Sequence, residues 1–453
     1  MRALEDRLAR IESQLGQVVA VASAAVTAGS RNTPPAHTHP SPAGAAATPN
    51  YLSSDDLGAF LQGLSPAPDW EFEHPVAQHQ LPPLDEILPM IDSYFMHFNS
   101  IIPLFQQPAF MRMLHDYYHS PSAAAADSRH AVWAAVNIVL ALAYRMPGRA
   151  TQDSAATDRL PSDRDEHVSR YLQNAQSALS QLVTRDEDLL GLQVLLGMVI
   201  LFSSTGDSRP SLVLIGTAVR LAHRLRLQSR EPQAMFSPEV NLQRSRIFWI
   251  TYMLDKDISL RHQTPALQND NDIDLDLPPV TPKDGAGDLY TTDGIIRFNV
   301  FRARVQLGHI QGLIYDTLFS TRSARLLPQQ RNQQIMRLEG LLEDWRHCIP
   351  QALQLDNVVD NLGRVGMAHM STLHHGYLTC LVMIHGIYSH SSDWIRRISS
   401  YSIVTLGDCE IPGGGRCMVQ QSPWPRSWVK CVGVSRQCLK LMASMAQNDC
   451  TVW

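Results

Sequence analysis

Near the start of the chain, apolar positions recur at alternating steps of four and three. Leu4, Leu8, Ile11, Leu15 and Val18 form this seam in RALEDRLARIESQLGQVV, the repeat of a coiled coil. With Leu8 and Leu15 at a, and Leu4, Ile11 and Val18 at d, Arg7 falls at g and Glu12 at the following e. In a parallel pair those opposite charges meet across the interface. The pattern predicts a dimerisation helix over 1–22. Such a coil is short, because isolated helices below about 12–15 residues are marginal in water, and it normally extends another element.

The periodicity then stops. SAAVTAGSRNTPPAHTHPSPAGAAATPN is dominated by Ala, Pro, Ser, Thr and Gly, and 23–83 is expected to be a flexible linker that buries no core. From residue 84 the helical period takes over. In LDEILPMIDSYFMHFN, the residues Leu84, Ile87, Leu88, Ile91, Tyr94, Phe95 and Phe98 keep helical spacing, with Pro89 expected to mark the start or a kink. HAVWAAVNIVLALAYRM and LLGLQVLLGMVILFS are apolar almost all round, as central helices are. The second is interrupted by Gln193 and falls short of the roughly 20 apolar residues a membrane span needs.

In RPSLVLIGTAVRLAHRLRLQSR, Leu214, Ala218, Leu221 and Leu225 share a face, Arg220 and Arg224 project elsewhere, and Pro210 suits the first turn. A further helix is announced by Ser237 as N-cap, Pro238 at the first position and Glu239 against the positive helix end. Ile247, Ile250, Leu254 and Ile258 follow on one face. Helical patterns also cover about 292–320, 328–347, 363–389 and 428–447, and strand-like alternation is nearly absent. The expectation is an all-α fold: a large multi-helix domain over 84–390 and a late helix with an abrupt end over 428–453. Between them, 391–427 is irregular. From Trp394 the text WIRRISSYSIVTLGDCEIPGGGRCMVQQSPWPRSW breaks the pattern, as either translated intron sequence or a genuine long loop.

Composition changes this picture little. With 44 % hydrophobic and 18 % charged residues the chain of 453 can bury a large core. Its net charge of −5 gives no overall electrostatic footprint for nucleic acid, so any DNA contact must be local or supplied by a missing segment. The seven cysteines, Cys348, Cys380, Cys409, Cys417, Cys431, Cys438 and Cys450, include no Cys-x-x-Cys. An odd count without a signal-peptide pattern fits reduced intracellular thiols.

Candidate chemistry fails motif by motif. There is no Gly-x-x-x-x-Gly-Lys, no His-Glu-x-x-His and no Gly-x-Ser-x-Gly. His115 and His119 have the spacing of two zinc ligands, but no third ligand is placed beside them. His37 and His39 lie in a Pro-flanked solvated tract. His374 and His375 are adjacent and point to different sides of a helix, at the edge of a core. Asp270, Asp272, Asp274 and Asp276 open like a calcium loop. Leu275 then stands where the loop needs Gly, and Thr281 where it needs Glu, so an acidic surface loop is expected. The glycines of GDCEIPGGGRC have no strand-to-helix context for a phosphate site. No catalytic set, cofactor site or metal site assembles.

One constellation is specific. GTAVRLAHRLRLQSR followed by QRSRIFWITYMLDKDISLRHQTPALQNDNDIDLDLP resembles the fungal-specific transcription factor domain, the middle homology region of fungal binuclear zinc-cluster regulators. The resemblance rests on Gly216, Ala218 and Arg220, then Arg244, Arg246, Phe248, Trp249, Leu254 and Asp255. It continues through Ser259, Pro265, Asp272, Ile273, Asp274, Leu277 and Pro278. YFMHFNSIIPLFQQPAF and CVGVSRQCLKLMASM look like the family's early and late segments, so the likeness spans about 90–445. Two departures bear on local structure: Lys256 replaces the usual Arg, and Gln263-Thr264 replaces Gly-Arg before Pro265.

The resemblance implies a nuclear transcription regulator, not an enzyme, that controls metabolic or secondary-metabolite genes. In the family a short coil follows a six-cysteine cluster holding two zinc ions, which presents a helix to the DNA major groove. RALEDRL looks like that coil, yet no cysteine precedes Cys348. Zinc and direct DNA contact are therefore expected only if a cluster is encoded upstream. Two readings stay open: a zinc-cluster regulator whose DNA reader is missing from this sequence, as a coil at the first residues favours, or a cluster-less modulator that dimerises with related factors. An enzyme or small-molecule binder on an α-helical scaffold has no convergent polar set behind it. The partners expected are a second chain through the coil and a possible small-molecule effector, with no membrane. Arg220, Arg224, Arg244 and Arg246 form either an interaction surface or a solvated helix face, and Phe248 and Trp249 are expected to pack in the core.

Overall fold

Local sequence sets the longest helix. Ser237, in an extended conformation, accepts the Val240 backbone N–H on its Oγ at 3.4 Å, and Pro238 follows at the first helical position. A hydroxyl thus satisfies an orphan donor, and proline stands where no N–H is needed. The helix runs to His262 and stops at Gln263, which is left-handed at φ 54° and ψ 38°, while the Thr264 N–H returns to the Ser259 carbonyl at 2.9 Å.

The computed structural model describes residues 81–119, 126–146, 161–184, 189–204, 208–386 and 426–445. The expected coil with Leu4, Arg7, Leu8, Ile11, Glu12, Leu15 and Val18, the linker with His37 and His39, and the irregular segment 391–427 fall outside these residues. The described part is all-α, with one small hairpin. In chain order the helices are α1 (Leu84–Tyr94), α2 (Gln107–His119), α3 (Ala126–Arg145), α4 (Pro161–Ser177), α5 (Leu179–Thr184), α6 (Leu189–Ser203) and α7 (Arg209–Arg224). After them come α8 (Pro238–His262), α9 (Val300–Ile314), α10 (Pro328–His347), α11 (Val358–Asn361), α12 (Arg364–Gly386) and α13 (Arg426–Ser444). Strands β1 (Asp288–Tyr290) and β2 (Arg297–Asn299) pair antiparallel, with Leu289 opposite Phe298.

The helices pack as neighbours. α3 lies against α1, α4 and α6, and α6 lies against α7. α8 joins α6 and α7 to α9, which packs on α10 and α12, and α12 carries α13. α6 is buried from Gly191 to Leu201, which explains its all-round apolar sequence. Its close approach to α3 needs Gly197, where a Cβ would sit 2.2 Å from Ile138 Cγ2. Among the described residues no helix is long and apolar enough to cross a membrane.

The early aromatic segment is stitched by amides. Asn99 Oδ1 accepts the Phe105 backbone N–H at 2.8 Å and the Tyr94 hydroxyl at 3.1 Å, while its Nδ2 donates to the Phe105 carbonyl at 2.9 Å. Gln193 from α6 and Gln243 from α8 both donate to the Leu104 carbonyl, at 2.6 and 2.9 Å. The polar residue inside the most apolar helix therefore satisfies a buried carbonyl, which would otherwise cost about 1–3 kcal/mol.

Some expectations are corrected. Pro89 does not start α1, which begins at Leu84 and runs through it. Its ring and the Asp85 carbonyl that loses a partner both lie on the exposed side, where water can serve. The helix expected from 292 begins at Val300, because Asn299 Oδ1 caps it by accepting the Arg302 N–H at 2.8 Å. The preceding residues form the hairpin instead, turned at Gly294 with φ 71°. His374 lies deeper than a core edge, 3 % exposed, with its Nε2–H donating to the Leu353 carbonyl at 2.9 Å.

Candidate functional site

The segment after α8 doubles back over it, and most of the singled-out residues meet there. Asp255, 1 % exposed on α8, accepts the backbone N–H of Gln268 at 2.9 Å and of Leu267 at 3.2 Å, with the Ser259 hydroxyl at 3.4 Å. Burial pushes its carboxyl pKa up, against the pull of those donors. Gly216 on α7 lies beside Leu267, whose Cδ1 would be in ordinary van der Waals contact, at 3.4 Å, with a Cβ placed there. His223 Nε2–H donates to Gln268 Oε1 at 2.6 Å. The turn is thus pinned to α7 and α8 together.

One residue further along α8, Lys256 reaches the Gln268 carbonyl and Asp270 Oδ1, both at 2.8 Å. Lysine thus forms an ion pair at the position where the family pattern has Arg. Asp270 Oδ2 also takes His309 Nδ1 at 2.8 Å and the Tyr252 hydroxyl at 3.2 Å. Burial alone would raise Asp270, but His309 and Lys256 outweigh it and hold the carboxyl below its ordinary value. Burial also raises the Tyr252 hydroxyl, assisted by Asp270.

Beyond Asp270 the chain forms an extended strap, 273–278, across α8. Ile273 and Leu275 are half-buried while Asp272, Asp274 and Asp276 are exposed. Arg230 holds the strap from outside, donating from Nε to the Asp274 carbonyl at 2.7 Å and pairing with Asp276 at 2.6 Å. From inside, Trp249 Nε1–H donates to the Asp276 carbonyl at 3.1 Å. The alternating aspartates thus border a clamped strap. Phe248 and Trp249 are buried, edge-to-face at 5.1 Å.

The arginines separate. Arg244 donates to the Leu225 carbonyl at 2.6 Å and lies over the Phe236 ring, 4.3 Å from its centroid. Arg246 binds both carboxylate oxygens of Asp284 at 2.6–2.7 Å. Arg220, Arg224 and Pro265 are exposed. His115 and His119 are exposed with their rings stacked at 4.2 Å. Among the described residues no group of three or more His, Cys, Asp or Glu is placed to hold a metal ion.

The strap roofs a cavity of about 690 Å³ between α8, α9 and α10. Sequence reasoning did not locate it. Its only local sign is the period-two alternation of Ile273, Leu275 and Leu277, which reads as one apolar face as readily as an acidic loop.

Residues 91–347, more than half of the chain, match the model of the fungal specific transcription factor domain. The chain belongs to that family. The match runs from the Asn99 segment through the pinned turn and strap to the end of α10. An ABC-transporter-regulating transcription factor of Aspergillus fumigatus is 32 % identical over 374 residues, 82 % of this chain and 40 % of that protein. Its Aspergillus oryzae namesake is 31 % identical over the same length and the same shares. The fusaridione A cluster transcription factor of Fusarium heterosporum is 31 % identical over 271 residues, 60 % of this chain and 49 % of that protein. The chain thus spans two-fifths to half the length of these relatives. No solved structure matches. In this fungal transcription factor domain Trp249, Asp255 and Ser259 of the motif hold the following loop onto the helical core.

Proposed function

We propose that this chain is the dimerising and regulatory portion of a nuclear, zinc-cluster-type regulator controlling metabolic or secondary-metabolite genes. The carrying observation is the family match over residues 91–347. Named relatives support the gene class, one regulating ABC transporters and one serving a fusaridione A cluster. DNA is read by a zinc cluster where one precedes the coil. The coil pairs two chains, the linker lets them move independently, and the helical domain restrains activity until an effector or partner binds. A clamped strap over a cavity suits such a body, because its wall is held by a few polar contacts rather than by core packing alone.

The test tethers the full chain behind a heterologous sequence-specific DNA reader, upstream of a reporter. Reporter output is expected to change, up for an activator or down for a repressor. Unchanged output from a stably expressed, promoter-bound fusion would overturn the proposal.

A further inference from the structure

The cavity under the strap has a definite chemistry. On α8 its wall is Trp249 and Tyr252, set edge-to-face at 5.4 Å. On α10 it is Trp345, which also stacks with Tyr377 at 6.2 Å. α9 adds Val305, Ile310 and Leu313, and the strap adds Ile273, Leu275 and Leu277. These rings are fixed by their own neighbours, so the aromatic surfaces stand ready before any ligand arrives. At about 690 Å³ the space falls in the range of roughly 300–1,000 Å³ that holds drug-sized molecules.

The polar groups around it are satisfied within the chain. Trp249 Nε1–H is taken by the Asp276 carbonyl and Trp345 Nε1–H by the Ala303 carbonyl at 3.0 Å. Asp270, the charged group on the α8 side, is balanced by Lys256 and His309. At the mouth, Arg337 and Asp344 are exposed on α10 and opposite in sign. No uncompensated charge therefore faces inward, and an ionic ligand would lose its hydration without a counter-charge. Gln306 differs: it is half-buried in the wall and its amide bonds to no group among the described residues. It offers one acceptor and two donors.

We infer that this cavity binds a neutral, largely apolar, ring-bearing organic molecule of drug-like size, held between the Trp249–Tyr252 and Trp345 surfaces with one polar group on Gln306. The strap is the wall that a ligand would displace, and Arg230 and Trp249 are its fasteners. The site deepens the regulatory reading by naming where and what an effector would bind.

The test uses the full chain and N-phenyl-1-naphthylamine, a neutral probe that fluoresces in apolar surroundings, beside 8-anilinonaphthalene-1-sulfonate, which has the same rings and an anionic group. The neutral probe is expected to bind saturably, one per chain, at least about tenfold more tightly than the sulfonate. Gln306→Trp, which removes the amide and narrows the cavity, and Leu341→Trp, at its exposed rim, should each weaken it by about tenfold or more. Val213→Trp on α7, outside the lining and 71 % exposed, should leave binding unchanged. Circular dichroism checks each fold, and Leu341→Trp decides if Gln306→Trp does not fold. Non-saturable binding, binding untouched by the folded variants, or equal affinity for the sulfonate would overturn the inference. No reporter enters this measurement, so its failure leaves the transcriptional reading standing, and the reverse holds too.

Discussion

Gln263 carries a cost visible in a single dihedral. It ends α8 in the left-handed region and is exposed, whereas the family pattern has glycine there. Left-handed backbone costs a non-glycine residue about 1–2 kcal/mol, partly offset because glycine loses more freedom on folding. Gln263→Gly is therefore expected to stabilise the protein by about 0.5–1 kcal/mol, read as a higher urea midpoint at unchanged m-value. A lower midpoint would mean that the Gln side chain does more than the exposure suggests. Two histidines make a pH-dependent contribution. His369 and His374 are pushed down to about 4, chiefly by burial, and each Nε2–H donates to a carbonyl, of His97 at 2.8 Å and of Leu353 at 2.9 Å. Their unfolded value is about 6.5. Below that pH the unfolded chain binds protons that the folded chain refuses, so stability falls from about pH 6.5 towards 4 and is full above it. The slope reaches about 1.4 kcal/mol per pH unit for each histidine. Urea titrations across this window should show the loss, and His374→Gln should make it shallower; equal slopes would remove His374 from the account.

The turn and strap after α8 combine contacts of very different worth. Asp255→Ala strands the buried N–H of Gln268 and frees the part-buried N–H of Leu267, a loss of about 3–5 kcal/mol for a buried charged acceptor. Arg230→Ala breaks pairs about half exposed on the arginine and more so on the aspartates, and should cost no more than about 1 kcal/mol globally. Limited proteolysis within 263–278 separates them. Arg230→Ala is expected to speed cleavage there while the melting curve barely moves, and Asp255→Ala to speed cleavage and lower the melting point as well. Cleavage of Arg230→Ala no faster than that of the native chain would show that the strap does not depend on its clamp. The element scale is also where reading the sequence succeeds and stops. α8 and α10 could be placed from Ser237-Pro238, Pro328 and long stretches of helical period. The hairpin escapes because three-residue strands are too short for a period to show. The Lys256–Asp270–His309 cluster and the α10 wall of the cavity join residues brought together only by folding, which no local spacing encodes.

At the scale of the whole molecule, the proposed dimer depends on a seam that lies far from the core in sequence. Leu4, Leu8, Ile11, Leu15 and Val18 span fewer than three heptads, so association through them alone is weak and concentration-dependent. A Pro-, Ala- and Ser-rich stretch of chain separates the seam from α1, and such composition transmits little mechanical coupling. Dimerisation and domain stability should therefore be independent. Replacing Leu8 and Leu15 with Lys puts four like charges into one seam, whose a positions are meant to be dry. Sedimentation over a concentration series is expected to show monomer–dimer exchange for the native chain and monomer throughout for the double variant. The thermal midpoint of the helical domain should stay the same. An unchanged mass would place the dimer contact elsewhere on the molecule, and a lowered midpoint would show that the N-terminal helix packs on the domain it is proposed only to tether.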